Sequence, residues 1–414
     1  MKTKWDQLFA ERTRNICGSQ IRQYFALTER PEVISFAGGF PGNEFFPTAE
    51  IAAAVSGLMQ EEGNRSLQYS STEGSMELRS LIAEKMNRQK AQCNPENIII
   101  TDGSQQGIDL LSRILINPGD PVLVEEPSYI GGTSAFKSHG GIPVGIKMDQ
   151  DGPLPLSMEK AISMQITEGK QPKMFYTVSN FQNPTGVTTS YERRLEILEI
   201  ASRHNIIIVE DNPYGELCYE GEIPPSYKSL DREERVVYLG SFSKILTPGI
   251  RIGWMASPGP LIEKAILTKQ STDLCSSSLG QQLAYRLSRE GFVEKHTRKL
   301  IDLYRRKRDI MIEAMDHYFP PDIVYNKPRG GFFIWVDFPS FYPTSKELLE
   351  LALQNNVAFV HGEGFSNSED GGTHSARFSF SQPLQEHIET GINKLGKLFR
   401  EIETRQSLKT VEKV

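Results

Sequence analysis

Leu239-Gly240-Ser241-Phe242-Ser243-Lys244 ends an apolar run that begins at residue 236, and Arg251 comes seven residues after its lysine. The run predicts a strand, so the serines and the lysine are expected at its carboxyl end. There the two hydroxyls and the guanidinium can bind a phosphate, and the lysine amine can condense with an aldehyde. A serine-rich turn alone is usually only a turn, so this interpretation needs partners elsewhere in the chain.

The composition is that of an ordinary globular protein, with 38% hydrophobic and 24% charged residues among 414. This length suits one large domain with a smaller companion. A net charge of -6 argues against a nucleic-acid surface. The four cysteines are scattered and no histidine pair has metal-ligand spacing, so we expect no bound metal. The chain shows no signal peptide or membrane-spanning run, which predicts a cytoplasmic protein without membrane contact.

Strand-like and helical patterns alternate through the middle of the chain. Such alternation predicts an α/β fold with a largely parallel sheet covered by helices. The predicted strands span residues 97–101, 121–125, 174–179, 206–210, 236–239 and 251–256, and the predicted helices span 104–116, 129–139 and 191–204.

The pattern changes after Ser276-Ser277-Ser278, where a helical stretch, 279–318, contains Gly291 as a candidate break. Predicted strands and helices then follow in a mixed order that suits a smaller α+β domain. These elements are strands 331–338, 357–360 and 376–381 and helices 345–355 and 384–405. We therefore divide the chain into an N-terminal segment, 1–47, that packs on the small domain and the substrate site, a large domain, 48–290, and a small domain, 291–414.

Polar side chains follow the predicted strands, where ligands of α/β sheets collect. Asp211 and Tyr214 come after strand 206–210, and Asn183 follows strand 174–179. Ser104 and Gln105 open a helix whose N-terminus can seat a phosphate, although a simple serine N-cap is the commoner explanation.

Each of these residues has an ordinary alternative. Asp211 precedes Asn212-Pro213, a usual turn start. Tyr129 suits core packing as well as ring stacking, and Arg377 can pair on a surface as well as bind a carboxylate. The presence of Lys244 favours the functional interpretation over these alternatives. A lysine that can bind an aldehyde, groups that can bind a phosphate and a carboxylate for a ring nitrogen together suit pyridoxal 5'-phosphate.

Four motifs, in chain order, resemble the class I/II aminotransferases of PLP fold type I. They are Asn183-Pro184-Thr185-Gly186, Asp211 with Tyr214, Ser241-Phe242-Ser243-Lys244 with Arg251, and Arg377. The resemblance covers essentially the whole chain and is nearest to the 2-aminoadipate and kynurenine/aminoadipate branch. It implies a large domain with a mostly parallel, seven-stranded-type sheet and a smaller α+β domain. The aminotransferase domain of MocR-type regulators is also similar.

The resemblance also implies which residues hold the cofactor. Lys244 matches the Schiff-base lysine, and Asp211 matches the partner of the ring nitrogen. Asn183 and Tyr214 match the residues at the ring oxygen, and Tyr129 matches the aromatic residue that stacks on the ring. The matches to the phosphate-binding residues are Ser104, Gln105, Ser241, Ser243 and Arg251.

Further residues match substrate and subunit contacts of the family. Arg377 resembles the arginine that binds the substrate α-carboxylate, with Gly39 as a backbone donor and Asn183 beside them. Arg22 lies where members of this branch read an acidic side chain. Tyr69 matches a tyrosine that reaches the phosphate of the neighbouring subunit, which implies a homodimer with shared active sites.

The implied activity is transfer of the amino group of an L-amino acid to a 2-oxo acid by a ping-pong mechanism. The resemblance leaves the donor open among aminoadipate-like, aromatic and branched-chain amino acids, and the expected acceptor is 2-oxoglutarate. A PLP-dependent C–S lyase is the second hypothesis, because the same groups stabilise a carbanion whatever follows. A PLP-sensing regulator is the third, and the start of the chain at the aminotransferase part, without a preceding DNA reader, counts against it.

Overall fold

The computed structural model describes residues 3–15, 30, 32–368 and 371–411. The strands are β1 (Ile34–Ser35), β2 (Ile98–Thr101), β3 (Pro121–Glu126), β4 (Ile142–Asp149), β5 (Gly152–Pro153), β6 (Met174–Thr177), β7 (Ile207–Asp211), β8 (Val236–Ser241), β9 (Gly253–Ala256), β10 (Val324–Tyr325), β11 (Phe333–Asp337), β12 (Val357–Ala358), β13 (Val360–His361) and β14 (Ser375–Ser379).

The helices fill most of the connections between these strands. They are α1 (Thr48–Leu67), α2 (Met76–Arg88), α3 (Ser104–Leu115), α4 (Ile130–Ser138), α5 (Pro155–Thr167), α6 (Tyr191–Arg203), α7 (Tyr227–Leu230), α8 (Gly259–Gln270), α9 (Ser278–Arg289), α10 (Phe292–Tyr318), α11 (Ser345–Gln354) and α12 (Gln385–Val411). Single 3₁₀ turns span Trp5–Gln7, Glu11–Asn15, Asn43–Phe45, Pro95–Asn97, Pro248–Ile250 and Gly362–Phe365.

The central sheet has eight strands in the order β2-β9-β8-β7-β6-β3-β4-β5. The pairs β8–β7, β7–β6, β6–β3 and β3–β4 are parallel. Strand β9 runs antiparallel to both of its neighbours, and β5 is a two-residue antiparallel addition at the edge. The interior strands β6 and β8 are buried throughout and mostly apolar, as strands covered by helices on both faces should be. The predicted mostly parallel α/β sheet is confirmed, with the short β5 as an eighth strand.

Most predicted elements agree with the structure to within two or three residues at each end. The long stretch 279–318 is broken at Gly291, as predicted, because Gly291 adopts the left-handed conformation, with φ of 72°, between α9 and α10. Residues 357–360 were predicted as one strand, and this is wrong. Strand β12 pairs with β1 whereas β13 pairs with β14, so the chain changes sheet at Phe359.

The C-terminal part forms a second sheet, β10-β11-β14-β13, in which every pair is antiparallel. Residues 34–44 of the N-terminal segment lie on this part of the molecule. Strand β1 pairs with β12, and the Ser379 N–H donates to the Phe36 carbonyl at 2.8 Å. The buried Lys307 of α10 binds Glu44 at 2.5 Å. These contacts hold Ile34, Phe36 and Glu44 against the C-terminal part, although the predicted domain boundaries themselves stay a prediction.

None of the helices in the described part of the chain is long and apolar enough to cross a membrane.

Candidate active site

The site lies at the carboxyl ends of β7 and β8. The sequence predicted Asp211 as the first residue after its strand. In the structure Asp211 is the last residue of β7, because it still pairs in register with Leu239. Ser241 ends β8, and Lys244 follows in the turn three residues later. Parallel neighbours end at the same edge of a sheet, so these polar groups converge although they are separate in sequence.

The Lys244 side chain is half-buried, and its amine has few polar neighbours. Its Nζ donates to the Gly39 carbonyl at 3.1 Å and lies 5.8 Å from the centre of the Tyr214 ring. Burial lowers the pKa of Lys244 to about 8, and the charges of Arg251 and Arg377 act in the same direction. An amine with such a pKa is in large part neutral near pH 8, and the neutral amine is the nucleophile.

Asp211 is a buried carboxyl with one satisfied oxygen. The hydroxyl of Tyr176 donates to Oδ2 at 2.8 Å, while Oδ1 is buried without a hydrogen-bond partner among the described residues. Burial raises the pKa of Asp211 to about 6, although the Tyr176 hydroxyl, the nearby Ser104 hydroxyl and the charge of Lys244 oppose the rise. Unpaired buried oxygens are rare and suggest a ligand that is not a protein group.

A second group of donors surrounds the start of α3. Ser243 N–H donates to Ser241 Oγ at 3.0 Å, and the two serine hydroxyls are 2.8 Å apart. Arg251 donates to the Asp102 carbonyl at 2.8 Å. A Cβ on Gly103 would lie 2.6 Å from the Arg251 guanidinium, so this residue, with φ of +74°, has to be glycine. The free N–H groups of α3 therefore point toward the same region as the guanidinium, as a phosphate site requires.

Tyr129 and Gln105 form a hydrogen bond at the N-terminus of α4. The Tyr129 hydroxyl donates to Gln105 Oε1 at 3.3 Å, and Gln105 Nε2 donates to the Gly131 carbonyl at 2.8 Å. Burial raises the pKa of Tyr129 to about 12. The ring folds over Gly131, where a Cβ would come within 2.4 Å of it. The Gln105 side chain therefore contacts Tyr129, and the predicted role of Gln105 in binding the phosphate stays a prediction.

Arg377 of β14 reaches the site from the second sheet. It donates to Asn183 Oδ1 at 2.9 Å and to the Ala37 carbonyl at 2.6 Å. Its guanidinium lies over the rings of Phe333 and Phe365, at 4.4 and 5.0 Å from their centres. These rings fix the plane of the guanidinium, and its Nε is buried without a partner among the described residues. Burial lowers the pKa of Arg377 to about 10, so it remains a cation at neutral pH.

Tyr214 lies between the lysine and the second sheet. Its ring meets the rings of Phe332 and Phe333 edge to face, at 5.5 and 5.7 Å between centres. Burial raises the pKa of Tyr214, while a hydrogen bond with Asn183 and the charge of Arg377 oppose the rise. Tyr214 therefore stays protonated and offers a hydroxyl donor beside Asn183.

The structure brings together all but two of the predicted site residues. Tyr69 is 77% exposed and lies outside this cluster, so its predicted role toward a neighbouring subunit stays a prediction. Arg22 lies outside the described residues. Sequence reasoning missed Tyr176 and Phe333, because aromatic residues in apolar strands carry no signal that separates site from core. It also missed Phe365 and the Ala37 carbonyl, which reach Arg377 only through long-range packing.

The chain belongs to the class I and II aminotransferase family, whose model matches residues 32–395. The chain is thus an aminotransferase of PLP fold type I, and its cofactor is pyridoxal 5'-phosphate.

Three relatives show how near the similarity is. Aromatic-amino-acid aminotransferase 1 of Thermococcus litoralis is 39% identical over 96% of this chain and 95% of its own length. The kynurenine aminotransferase of Pyrococcus horikoshii, solved in complex with PMP, is 38% identical, with a TM-score of 0.92 over 96% of this chain and 98% of its own. The α-aminoadipate aminotransferase of Thermus thermophilus, complexed with N-(5'-phosphopyridoxyl)-L-leucine, is 33% identical, with a TM-score of 0.88 over 97% and 100%.

The residues present fit this cofactor. Among the described residues, Asp211 Oδ1 is a buried acceptor without a donor, and a protonated ring nitrogen would supply one. The half-buried lysine with a lowered pKa suits an aldehyde, and the donors around α3 suit a phosphate.

Proposed function

We propose that this aminotransferase moves the amino group of an aromatic or aminoadipate-like L-amino acid to 2-oxoglutarate by a ping-pong mechanism. The observation that supports it best is that one site holds the Lys244 amine, the Arg377 guanidinium and an Asp211 oxygen that has no hydrogen-bond partner among the described residues. The named activities of the relatives support the choice of donors.

Two groups of residues would hold the cofactor. Asp211 would bind the ring nitrogen, Asn183 and Tyr214 the ring oxygen, and Tyr129 one face of the ring. The phosphate would be held by Ser104 at the start of α3 and by Ser241, Ser243 and Arg251. The chemistry that pyridoxal phosphate supplies when bound is an aldehyde for amines and a ring that accepts the electron pair left at Cα.

Lys244 is the proton carrier in this proposal. Its pKa, lowered to about 8 by burial, lets the amine accept a proton near neutral pH and return it afterwards. The Gly39 carbonyl, 3.1 Å from Nζ, gives the amine a fixed direction. Asp211 stabilises positive charge on the ring nitrogen, because an opposite charge nearby favours the protonated form.

Arg377 orients the substrate in this proposal. Its guanidinium already has a fixed plane, and its Nε has no partner among the described residues, so a carboxylate can bind without moving it far. The Gly39 N–H is the expected second donor. Fixing the carboxylate directs the Cα–H bond toward Lys244, and such positioning accounts for several kcal/mol of a barrier.

Apolar surroundings of Arg377 favour donors with large side chains. Trp335 and Val360 pair in register with Arg377 on the neighbouring strands and lie on the same face of the sheet. Phe365 packs against Trp335 edge to face, with 5.9 Å between ring centres. An aromatic or long aliphatic side chain is therefore expected beside the α-carboxylate site.

A donor panel with 2-oxoglutarate tests the proposal. We expect the highest kcat/KM for aromatic or aminoadipate-like donors, and parallel lines when initial rates are plotted reciprocally at several acceptor concentrations. Intersecting lines would contradict the ping-pong order. Release of pyruvate and ammonia from cystathionine without an acceptor would favour a C–S lyase instead.

A further inference from the structure

Tyr176 is a buried tyrosine that was not predicted as a site residue, and its hydroxyl contacts a site residue. It lies in β6, and its ring meets Phe136 edge to face with 5.5 Å between centres. A Cβ on Gly132 would come within 3.0 Å of the ring. The ring therefore has one position, and its hydroxyl has one direction.

That direction leads to Asp211 on the neighbouring strand. The hydroxyl donates to Asp211 Oδ2 at 2.8 Å, and both side chains are buried. Among the described residues, no arginine, lysine or histidine forms a salt bridge with Asp211, so a neutral donor satisfies one of its oxygens. An ionised carboxylate is an acceptor only, and a hydrogen bond from a hydroxyl therefore favours the ionised form.

We infer that Tyr176 is a positioning residue: its hydroxyl keeps the Asp211 carboxyl ionised and fixes Oδ2, which leaves Oδ1 for the cofactor ring nitrogen. This inference rests on the proposed role of Asp211. It assigns Tyr176 no contact with the cofactor or substrate.

The surroundings explain why Asp211 needs such a donor. Burial is the largest influence and raises the pKa of Asp211, and the Tyr176 hydroxyl is the largest influence against it, ahead of Ser104 and Lys244. Four further titratable groups face Asp211 from other segments: Glu125 of β3, Tyr129 before α4, Tyr214 after β7 and Tyr238 of β8. All four are acids, and burial raises the pKa of Glu125 to about 7 as well. None of them supplies a cation to Asp211.

The first experiment uses the full-length protein without cofactor. The protein is labelled with [4-¹³C]aspartate, and the pKa of Asp211 is measured by NMR in the wild type and in Tyr176→Phe, with Asp211→Asn to assign the signal. Loss of a hydrogen bond to a charged group is expected to raise this pKa by about one unit or more. Tyr238→Phe is the matched control, because its hydroxyl accepts from Asn212 at 2.9 Å and is not bonded to Asp211.

The second readout is the pH profile of kcat/KM in the loaded enzyme. Ionised Asp211 is lost as the pH falls below its pKa, so the acid limb of Tyr176→Phe should move to higher pH, while that of Tyr238→Phe should not. Incorporation of 3-fluorotyrosine at position 176 keeps the hydroxyl and makes it a stronger donor. It should move the Asp211 pKa downward, which tests the inference without removing any group if Tyr176→Phe does not fold.

An unmoved Asp211 pKa in folded Tyr176→Phe, or equal shifts in Tyr176→Phe and Tyr238→Phe, would overturn the inference. Normal transamination by Asp211→Asn would instead contradict the proposed role of Asp211 and leave the measured Tyr176–Asp211 coupling in the free protein intact. The two failures are therefore distinguishable.

Discussion

The candidate site has two halves that are built in different ways. The cofactor half consists of Asp211, Ser241, Ser243 and Lys244, which lie at or just after the ends of two adjacent strands of the central sheet, with α3 beside them. The substrate half consists of Arg377, Asn183 and residues 37–39, which come from the second sheet, a turn of the first, and the N-terminal segment. The positions of the cofactor-half residues are determined by the ends of neighbouring strands. The substrate half forms only when segments distant in sequence have packed together.

The two halves also treat buried charge differently. Asp211 and Lys244 have pKa values moved toward neutrality by burial, so each can change its proton near physiological pH. Burial also lowers the pKa of Arg377, but only to about 10, so Arg377 stays charged, and two aromatic rings fix its plane. We interpret the first arrangement as suited to proton transfer and the second as suited to permanent anion binding.

The largest expected effect comes from removing the reactive group of the cofactor half. In Lys244→Ala, kcat should fall by about 10⁴-fold, because both the proton carrier and the covalent attachment are lost. Single-turnover kinetics with an aromatic donor measure this loss. Lys327→Ala, at an exposed lysine paired with Asp316, is the control and should retain wild-type turnover. Turnover by Lys244→Ala within tenfold of the wild type would refute the assignment.

A smaller effect is expected from the substrate half. Arg377→Gln should lower kcat/KM for amino donors by roughly 10–100-fold, since a charge-assisted hydrogen bond to the carboxylate is lost. Cofactor affinity, measured by absorbance titration, should change little. Arg251→Gln should show the reverse pattern, with weakened cofactor binding and nearly unchanged donor KM. The same pattern in both variants would mean that cofactor binding and donor binding are not assigned to separate halves of the site.

The pH dependence of cofactor binding tests the proton exchange that we assign to the cofactor half, and it needs no mutation. Lys244 must be neutral to react, and its pKa is lowered to about 8. The rate constant for pyridoxal phosphate binding to the cofactor-free protein should rise about tenfold per unit below pH 8 and level off above it. Stopped-flow absorbance measures this rate. A rise that continued to pH 10 would show that burial does not lower the lysine pKa.

The smallest effect is expected at the residue that joins the turns before Tyr129 and around Asn183. Gln182 Nε2 donates to the Pro127 carbonyl at 2.8 Å and to Glu125, and its Oε1 accepts from the Thr185 N–H at 2.9 Å. Gln182→Leu should lower the free energy of unfolding by about 1–3 kcal/mol, because buried polar groups lose their partners. Urea unfolding measures it. Gln171→Leu, at an exposed glutamine, is the control, and equal losses in both variants would deny Gln182 this linking role.

The cofactor half could be predicted from the sequence because its signals are local. The stretch from Leu239 to Lys244, and Asp211 after an apolar run, need only the rule that parallel strands end at one edge. Helices α1, α2, α5, α7 and α8 and strands β1, β4, β5 and β10 were not predicted, and the antiparallel direction of β9 was not either. Strand direction depends on which neighbour a segment pairs with, and periodicity does not report pairing.

The resemblance predicted residues of the substrate half, but the sequence could not predict their contacts. Arg377 and Gly39 were predicted as residues, yet the contacts of Arg377 with the Ala37 carbonyl, Phe333 and Phe365 need the register of β11 with β14 and the path of the N-terminal segment. These are long-range features. Tyr176 was missed for a related reason: a tyrosine in a buried strand is usually core, and only the neighbouring strand shows its partner.

The central claim is that Lys244 binds the cofactor covalently in the site described. The protein is incubated with pyridoxal 5'-phosphate and treated with borohydride, which makes a lysine–cofactor bond permanent, and its peptides are then mapped by mass spectrometry. The account predicts one label per chain, on the peptide that contains Lys244. A label on another lysine, or none on a protein that transaminates, would contradict it.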